Sequence, residues 1–215
     1  MNNTVELIGT YGNDEIIALS AWTSTNRELT EEKRARIPKL LNDLWTNGHH
    51  SVFEKGIVHF LVNCDIASHI HLLKHRISSL NAESARYKEL KEDKFYIPED
   101  WKGITHKSDD PNINHEWVYI LEEYTKTANE LYHKCIEDLT PILGRKRAKE
   151  SARYFKTYNS QIQSDVSFNM RSFANFLKLR KSEHAQIEIH DIASKMLDLV
   201  IQTGKFEHTL KAWEY

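Results

Sequence analysis

Residues 56–76 read GIVHFLVNCDIASHIHLLKHR. Two periodicities meet in this stretch. Val58, Phe60 and Val62 alternate with Ile57, His59 and Leu61, so 56–63 reads as a strand with two distinct faces. Asp65 can then cap a helix running from Ile66 to about Arg76, because a short carboxylate accepts readily from the open N–H groups of a first turn. Ile66, Ile70 and Leu73 make that helix's apolar stripe, while His71, Lys74 and His75 gather on another side. A strand feeding directly into a half-polar helix points to an α+β chain whose chemistry begins where the helix ends.

The same reasoning extends outward. Residues 5–9 read as a short strand and 16–22 as a short helix, followed by a polar loop over 23–28. Thr30 is an N-cap for a helix with Glu31 and Glu32 in its first turn and Ile37, Leu40, Leu41, Leu44 and Trp45 at helical spacing, closed by Gly48. Residues 77–93 are polar and non-periodic, 95–98 form a short strand, and 101–112 a loop. A long helix over about 115–139 carries Trp117, Ile120, Leu121, Tyr124, Ala128, Leu131, Tyr132, Cys135 and Leu139 in one stripe. After Gly144 come a basic helix to about residue 158, a polar stretch, and helices near 168–181 and 184–202. With no repeat or linker, the expectation is one α+β domain over 1–215, a small antiparallel sheet covered by helices.

Composition narrows the function classes. The chain has 215 residues, 40% hydrophobic and 28% charged, with 7 Gly and 4 Pro, the balance of a globular, helix-rich protein. Its net charge of -2 lacks the basic excess that releases counterions from polymeric nucleic acid. Any anionic ligand must therefore be met by a local cluster. Cys64 and Cys135 sit inside periodic segments as buried hydrophobes of a reducing compartment. The absence of a basic-apolar leader and of a bilayer-length run implies a cytoplasmic protein without a membrane partner.

The cluster sits in Lys74-His75-Arg76-Ile77-Ser78-Ser79-Leu80-Asn81-Ala82-Glu83-Ser84-Ala85-Arg86-Tyr87. It combines cations, hydroxyls, an amide and a carboxylate, a set suited either to a small anionic heteroaromatic ligand or to a solvated loop. Lys74-His75-Arg76, seven further residues, Ser84 and then Arg86-Tyr87 resemble the signature of the flavin-dependent thymidylate synthases, in which Arg-His-Arg leads to Ser and Arg-Tyr. Gly48-His49-His50-Ser51-Val52-Phe53-Glu54 is similar to the family's Gly-His-x-Ser/Thr-Pro-Phe-Glu element. Asn169-Met170-Arg171-Ser172-Phe173-Ala174-Asn175-Phe176-Leu177, with Leu179-Arg180 and His184-Ala185-Gln186, is similar to its C-terminal element. The likeness runs from about residue 37 to 192.

The resemblance implies an enzyme that methylates dUMP to dTMP, using FAD with 5,10-methylenetetrahydrofolate and NADPH as co-substrates, and a homotetramer whose active sites are shared between subunits. It places FAD against Ser51, Glu54, Lys74, His75, Arg76, Ile77, Asn169, Arg171 and Asn175. It places dUMP against His71, Leu72, Leu73, Lys74, Glu83, Ser84, Ala85, Arg86, Arg153 and Arg180. Arg180 is the implied catalytic cation, and His49 is a folate candidate. Neither cysteine has the Pro-Cys-His context of the flavin-free thymidylate synthases, so a covalent nucleophile is not expected.

Other readings attach to the same residues. Ser51 and Glu54 form a capping box that needs no ligand. His71 and His75 stand four apart, but no third ligand follows, so no metal is expected. Phe173, Phe176 and Leu177 read as core. The run Arg145-Lys146-Arg147-Ala148-Lys149 reads as a solvated helix face or, less directly, as a nucleic-acid contact. Lys74 in place of Arg, His71 where the family often has Gln, Ala82 in place of a common Glu, and a polar 156–167 stretch where the family is Leu-Pro-rich leave two alternatives. One is a divergent enzyme placing another one-carbon group, such as hydroxymethyl, on a pyrimidine nucleotide; the other is a noncatalytic flavin- or nucleotide-binding oligomer.

Overall fold

The computed structural model describes residues 2–107 and 115–215; the last part of the expected 101–112 loop lies outside them. In chain order the elements are β1 (Thr4–Tyr11), α1 (Asp14–Trp22), α2 (Glu31–Thr46), β2 (Ile57–Asp65), α3 (Ile66–Leu73) and β3 (Ser79–Ala82). They continue with α4 (Trp117–Leu143), α5 (Arg145–Ala152), β4 (Gln161–Asn169), α6 (Met170–Arg180), α7 (Ile187–Gln202) and α8 (Glu207–Ala212). The fold is α+β, and the four strands form one antiparallel sheet in the order β1-β2-β4-β3. Among the described residues no helix is long and apolar enough to cross a membrane. The chain divides into two compact units: Met1–Asn3, Asn63–Ile70 and Ala82–Ser164 form the first, and Thr4–Val62, His71–Asn81 and Asp165–Tyr215 the second.

The second unit holds the larger apolar core. Val58, Phe60 and Val62 point inward from β2, and Val166 and Phe168 from β4. On them lie Phe173, Phe176 and Leu177 of α6, with Phe60 and Phe173 5.7 Å apart and Phe168 and Phe176 5.2 Å apart between ring centroids. Alternation on the strands and 3.6-residue spacing on the helix therefore meet face to face. Thr30 Oγ1 accepts from Lys33 N as the N-cap of α2, and Asn169 Oδ1 accepts from Ser172 N at 2.8 Å as that of α6. Gly56 is required by close approach, since a Cβ there would lie 2.7 Å from Met170 Cγ and 2.9 Å from Phe206 Cε1.

The first unit is organised by α4 packed on α5. Tyr132, Ile136 and Ala152 form its core with Leu90 and Cys135 against them. Polar order surrounds it. His133 stands between Glu89 Oε1 at 3.1 Å and Asp93 Oδ2 at 3.0 Å, while the buried Lys156 ammonium donates to Asp93 and Asn129 and lies 4.3 Å from the Tyr132 ring centroid.

Several expectations are corrected by the structure. Asp65 does cap α3, accepting from Ser68 N at 2.8 Å, but the helix ends at Leu73 rather than near Arg76. Ser78 Oγ donates to the His75 carbonyl at 2.6 Å, a local side-chain bond that competes with continued helix. Leu72 is the buried leucine, and Leu73 is exposed. The 77–93 stretch contains β3, whereas 95–98 makes only an isolated bridge from Phe95 to Ser160. The polar 156–167 stretch contains most of β4. The basic helix stops at Ala152 and gives way to a 3-10 turn at Arg153–Phe155. The long stripe on α4 is split: Thr125, Ala128, Asn129, Tyr132 and Ile136 are buried, while Trp117, Tyr124 and Leu131 are exposed. The capping box at Ser51 and Glu54 does not form. Those residues lie in a 3-10 helix, His50–Lys55, whose start has no side-chain cap, and Glu54 Oε1 instead accepts from Arg171 Nη1 at 2.7 Å.

Candidate active site

The second unit carries a cleft of about 1260 Å³. Its walls come from four places in the chain. The turn after α3 supplies Lys74, His75, Arg76 and Ile77. The start and outer face of α6 supply Asn169, Arg171, Asn175, Lys178 and Arg180. Trp45, His50 and Glu54 come from the end of α2 and the 3-10 helix after it, and Lys211, Trp213, Glu214 and Tyr215 from α8 and the residues after it. Helical spacing places Arg171 and Asn175 one above the other.

One end of the cleft is aromatic. Trp45 stacks on His50 with centroids 4.2 Å apart and leans on Trp213 at 5.4 Å. Trp213 is buried, and its Nε1 has no hydrogen-bond partner among the described residues. The rest is cationic. Arg171 is paired with Glu54, and Lys211 with Glu207 at 2.6 Å. Lys74, Arg76, Lys178 and Arg180 have no ion-pair partner among the described residues. Unneutralised cations beside flat apolar rings suit a ligand that is both aromatic and anionic.

Arg180 and His75 form the most ordered pair in the cleft. Arg180 Nε donates to His75 Nε2 at 3.0 Å, and the His75 ring meets Phe176 edge-on at 4.9 Å. Burial first, then the charges of Arg180 and His71, push the His75 imidazole down to about 4. It is therefore neutral near pH 7, as an acceptor must be. Burial also lowers Arg180 from its ordinary value, yet an arginine remains a cation under such conditions.

That shift has a thermodynamic consequence. The unfolded chain protonates His75 near the ordinary 6.5 and the folded protein only near 4, so between those values the unfolded state binds more protons. Stability should rise with pH across this window, by on the order of 3 kcal/mol from His75, and level off above about 6.5. His69, also lowered by burial, acts in the same direction. Urea unfolding followed from pH 4.5 to 7 should show the rise, and His75→Gln should flatten it.

The remaining residues singled out in the sequence lie elsewhere. Ser51 and His49 line a separate groove of about 530 Å³ with Ser20, Ser24, Leu44 and Val52. His71 Nε2 faces Gln186 Oε1 at 3.0 Å, and its buried Nδ1 has no partner among the described residues. Leu72 packs in the core, which leaves only its backbone for a ligand. Glu83, Ser84, Ala85, Arg86 and Arg153 belong to the first unit. Glu83 accepts from Gln163 N at 3.0 Å and Lys88 Nζ at 2.7 Å. Ser84 opens a turn, its carbonyl accepting from Tyr87 N and Lys88 N. Arg86 Nε donates to Glu150 at 2.9 Å, which holds that carboxyl below its usual range. Arg153 is exposed. Trp213 and Tyr215 are not among the residues expected from the sequence, and Trp45 figures there only as part of a helix stripe; an aromatic pair within the last three residues is the signal the sequence offers.

Similarity to known proteins follows the same residues. The thymidylate synthase complementing protein family matches over residues 6–203. The flavin-dependent thymidylate synthase of Pseudothermotoga lettingae is 34% identical over 189 residues, covering 88% of this chain and 80% of the relative. That of Kosmotoga olearia is 31% identical over 196 residues, covering 88% and 81%. Among solved structures, the UMP/dUMP methylase PolB from Streptomyces cacaoi, bound with 5-Br dUMP, superposes with a TM-score of 0.75 at 26% identity, covering 99% of this chain and 95% of that one. A match running from β1 into the end of α7, with relatives above 30% identity across most of their length, establishes that the chain belongs to the flavin-dependent thymidylate synthase family.

Proposed function

We propose that this protein is a cytoplasmic enzyme that reductively methylates dUMP to dTMP, with FAD as cofactor, 5,10-methylenetetrahydrofolate as one-carbon donor and NADPH as reductant. The observation that carries the reading is the Arg180 guanidinium, half-buried in a cationic and aromatic cleft with no carboxylate among the described residues to neutralise it. Such a cation suits a reaction in which negative charge spreads over a pyrimidine ring as its carbon five becomes nucleophilic.

The residues present fit a flavin. Lys74 and Arg76 offer positive charge to a diphosphate, Asn169 and Asn175 offer amide groups, and His75, Ile77 and the Arg171–Glu54 pair complete that wall; Ser51, from the neighbouring groove, is the remaining contact. When bound, the flavin supplies the carrier of the one-carbon unit and the reducing electrons. For dUMP the proposed contacts are His71, Leu72, Leu73, Lys74, Glu83, Ser84, Ala85, Arg86, Arg153 and Arg180, with His49 on the folate side. Arg86 and Arg153 match a phosphate by their planar forks. Covalent activation by a thiol finds no support. Cys64 is buried and pushed up to about 12, by burial first and by Asp65 second, and Cys135 packs in the first unit's core.

We further place the enzyme in a homotetramer in which different protomers supply the groups that meet flavin and nucleotide. Trp117, Tyr124 and Leu131 are exposed on α4 at seven-residue spacing, the pattern of a helix seam that another helix covers.

Product analysis tests the assignment. Incubation with dUMP, methylenetetrahydrofolate, FAD and NADPH should give dTMP and release tritium from carbon five of labelled dUMP. A hydroxymethylated product, or flavin and nucleotide binding without tritium release, would replace it by one of the two alternatives raised by the departures at Lys74, His71 and Ala82.

A further inference from the structure

Arg180 is the last residue of α6, where a long side chain has few neighbours to hold it. Fixing such a chain costs rotamer entropy, so a productive orientation needs a partner. A carboxylate would orient the guanidinium but neutralise it. The structure uses an uncharged acceptor: Nε donates to His75 Nε2 at 3.0 Å, and neither terminal amino group has a partner among the described residues.

His75 is itself held by one ring contact and two hydrogen bonds to its backbone. Phe176 meets its ring edge-on, Ser78 Oγ donates to its carbonyl at 2.6 Å, and its backbone N–H bonds to the Leu72 carbonyl at 3.1 Å. With Nε2 as acceptor, the ring proton must sit on Nδ1. The charged or titratable groups acting on it are Arg180 and His71. The resulting chain of contacts runs from the α3 turn through an uncharged ring to a fully charged guanidinium.

We propose that His75 is a positioning residue for Arg180, its Nε2 lone pair aiming an unneutralised guanidinium into the cleft toward the pyrimidine. This rests on the assignment of Arg180 made above. It requires that the acceptor, more than the ring, matter: glutamine can place an oxygen where Nε2 stands, and leucine cannot.

The experiment combines kinetics with nitrogen NMR on the flavin-loaded protein. His75→Leu should lower kcat between about 10- and 100-fold, the scale of a misplaced catalytic group, with a much smaller change in KM for dUMP. His75→Gln should recover most of the loss. In an Arg180→Ala background, His75→Leu should cost less than about twofold more, because the two act as one unit. The ¹⁵N spectrum should show His75 protonated at Nδ1 with an accepting Nε2, and that acceptor signal should move in Arg180→Ala. Equal losses in the Leu and Gln variants, additive losses in the double variant, or a His75 proton on Nε2 would each overturn the proposal. An enzyme without dTMP synthesis but with the expected spectrum would overturn only the assignment of function.

Discussion

Arg180→Ala is expected to lower kcat for dTMP formation by about a thousandfold, the loss seen when one preorganised charge-stabilising donor is removed from a shielded site. Flavin binding should survive, since the other cations and amides of the cleft remain. The reason for so large an effect is the absence of a counter-charge. A guanidinium paired with a carboxylate offers a ligand little net field; among the described residues this one meets a neutral imidazole and no carboxylate. Arg180→Lys keeps the charge but loses the fork and the Nε–H donor to His75, so its activity should fall between the two. A half-buried, unpaired cation also carries a desolvation penalty. The alanine variant should therefore be at least as stable as the parent to urea, the pattern of a residue kept for activity at the expense of stability. A loss of less than tenfold, measured by tritium release at saturating dUMP, would remove Arg180 from the chemistry.

Much of this arrangement could be read from the residues, and the parts that could not share a physical cause. The strand at 56–63 announces itself by the alternation of Val58, Phe60 and Val62 with Ile57, His59 and Leu61, and the helix begun by Thr30 by an apolar stripe at helical spacing. β4 hides because Gln161 and Ser164, polar side chains, occupy buried positions on it. Gln161 Nε2 donates to Asn3 Oδ1 at 3.0 Å, and Ser164 Oγ lies 2.9 Å from His69 Nδ1. Partners distant in sequence make those positions tolerable, and no local pattern records them. Just past the end of α3 the Ser78 hydroxyl donates to the His75 carbonyl, a local bond that competes with continued helix. In the cleft, Lys74 to Ile77, Asn175 and Arg180 stand out by their chemistry. Trp45 and Trp213 do not, because an aromatic residue near the end of a helix reads as core until its neighbour is known. Ser51 belongs to the same motif as Glu54 yet lines a different groove, a separation that the motif's spacing does not record.

The part of the cleft contributed by the C-terminal residues depends on Asp14, and Asp14→Ala is expected to destabilise the protein by about 4 kcal/mol, within the range for breaking a buried, charge-assisted hydrogen-bond network. The carboxylate is buried. Its Oδ2 accepts from His208 N at 2.7 Å, and its Oδ1 from Thr209 N at 3.0 Å and Thr209 Oγ1 at 2.6 Å. It thus caps the opening turn of α8 from the far end of the chain, a turn for which Phe206 provides no side-chain cap. Alanine strands three donors where water has little access. Asn should cost roughly half as much, because its carbonyl oxygen can still serve two of them. In a protein of this length the alanine variant should melt roughly 10 °C lower, with an unchanged urea m value if the folded state is otherwise intact. Because α8 leads into Trp213 and Tyr215, the same variant should bind flavin more weakly even at temperatures where it is fully folded. Unchanged flavin affinity alongside the lowered melting point would mean that the aromatic end of the cleft is not part of the binding surface.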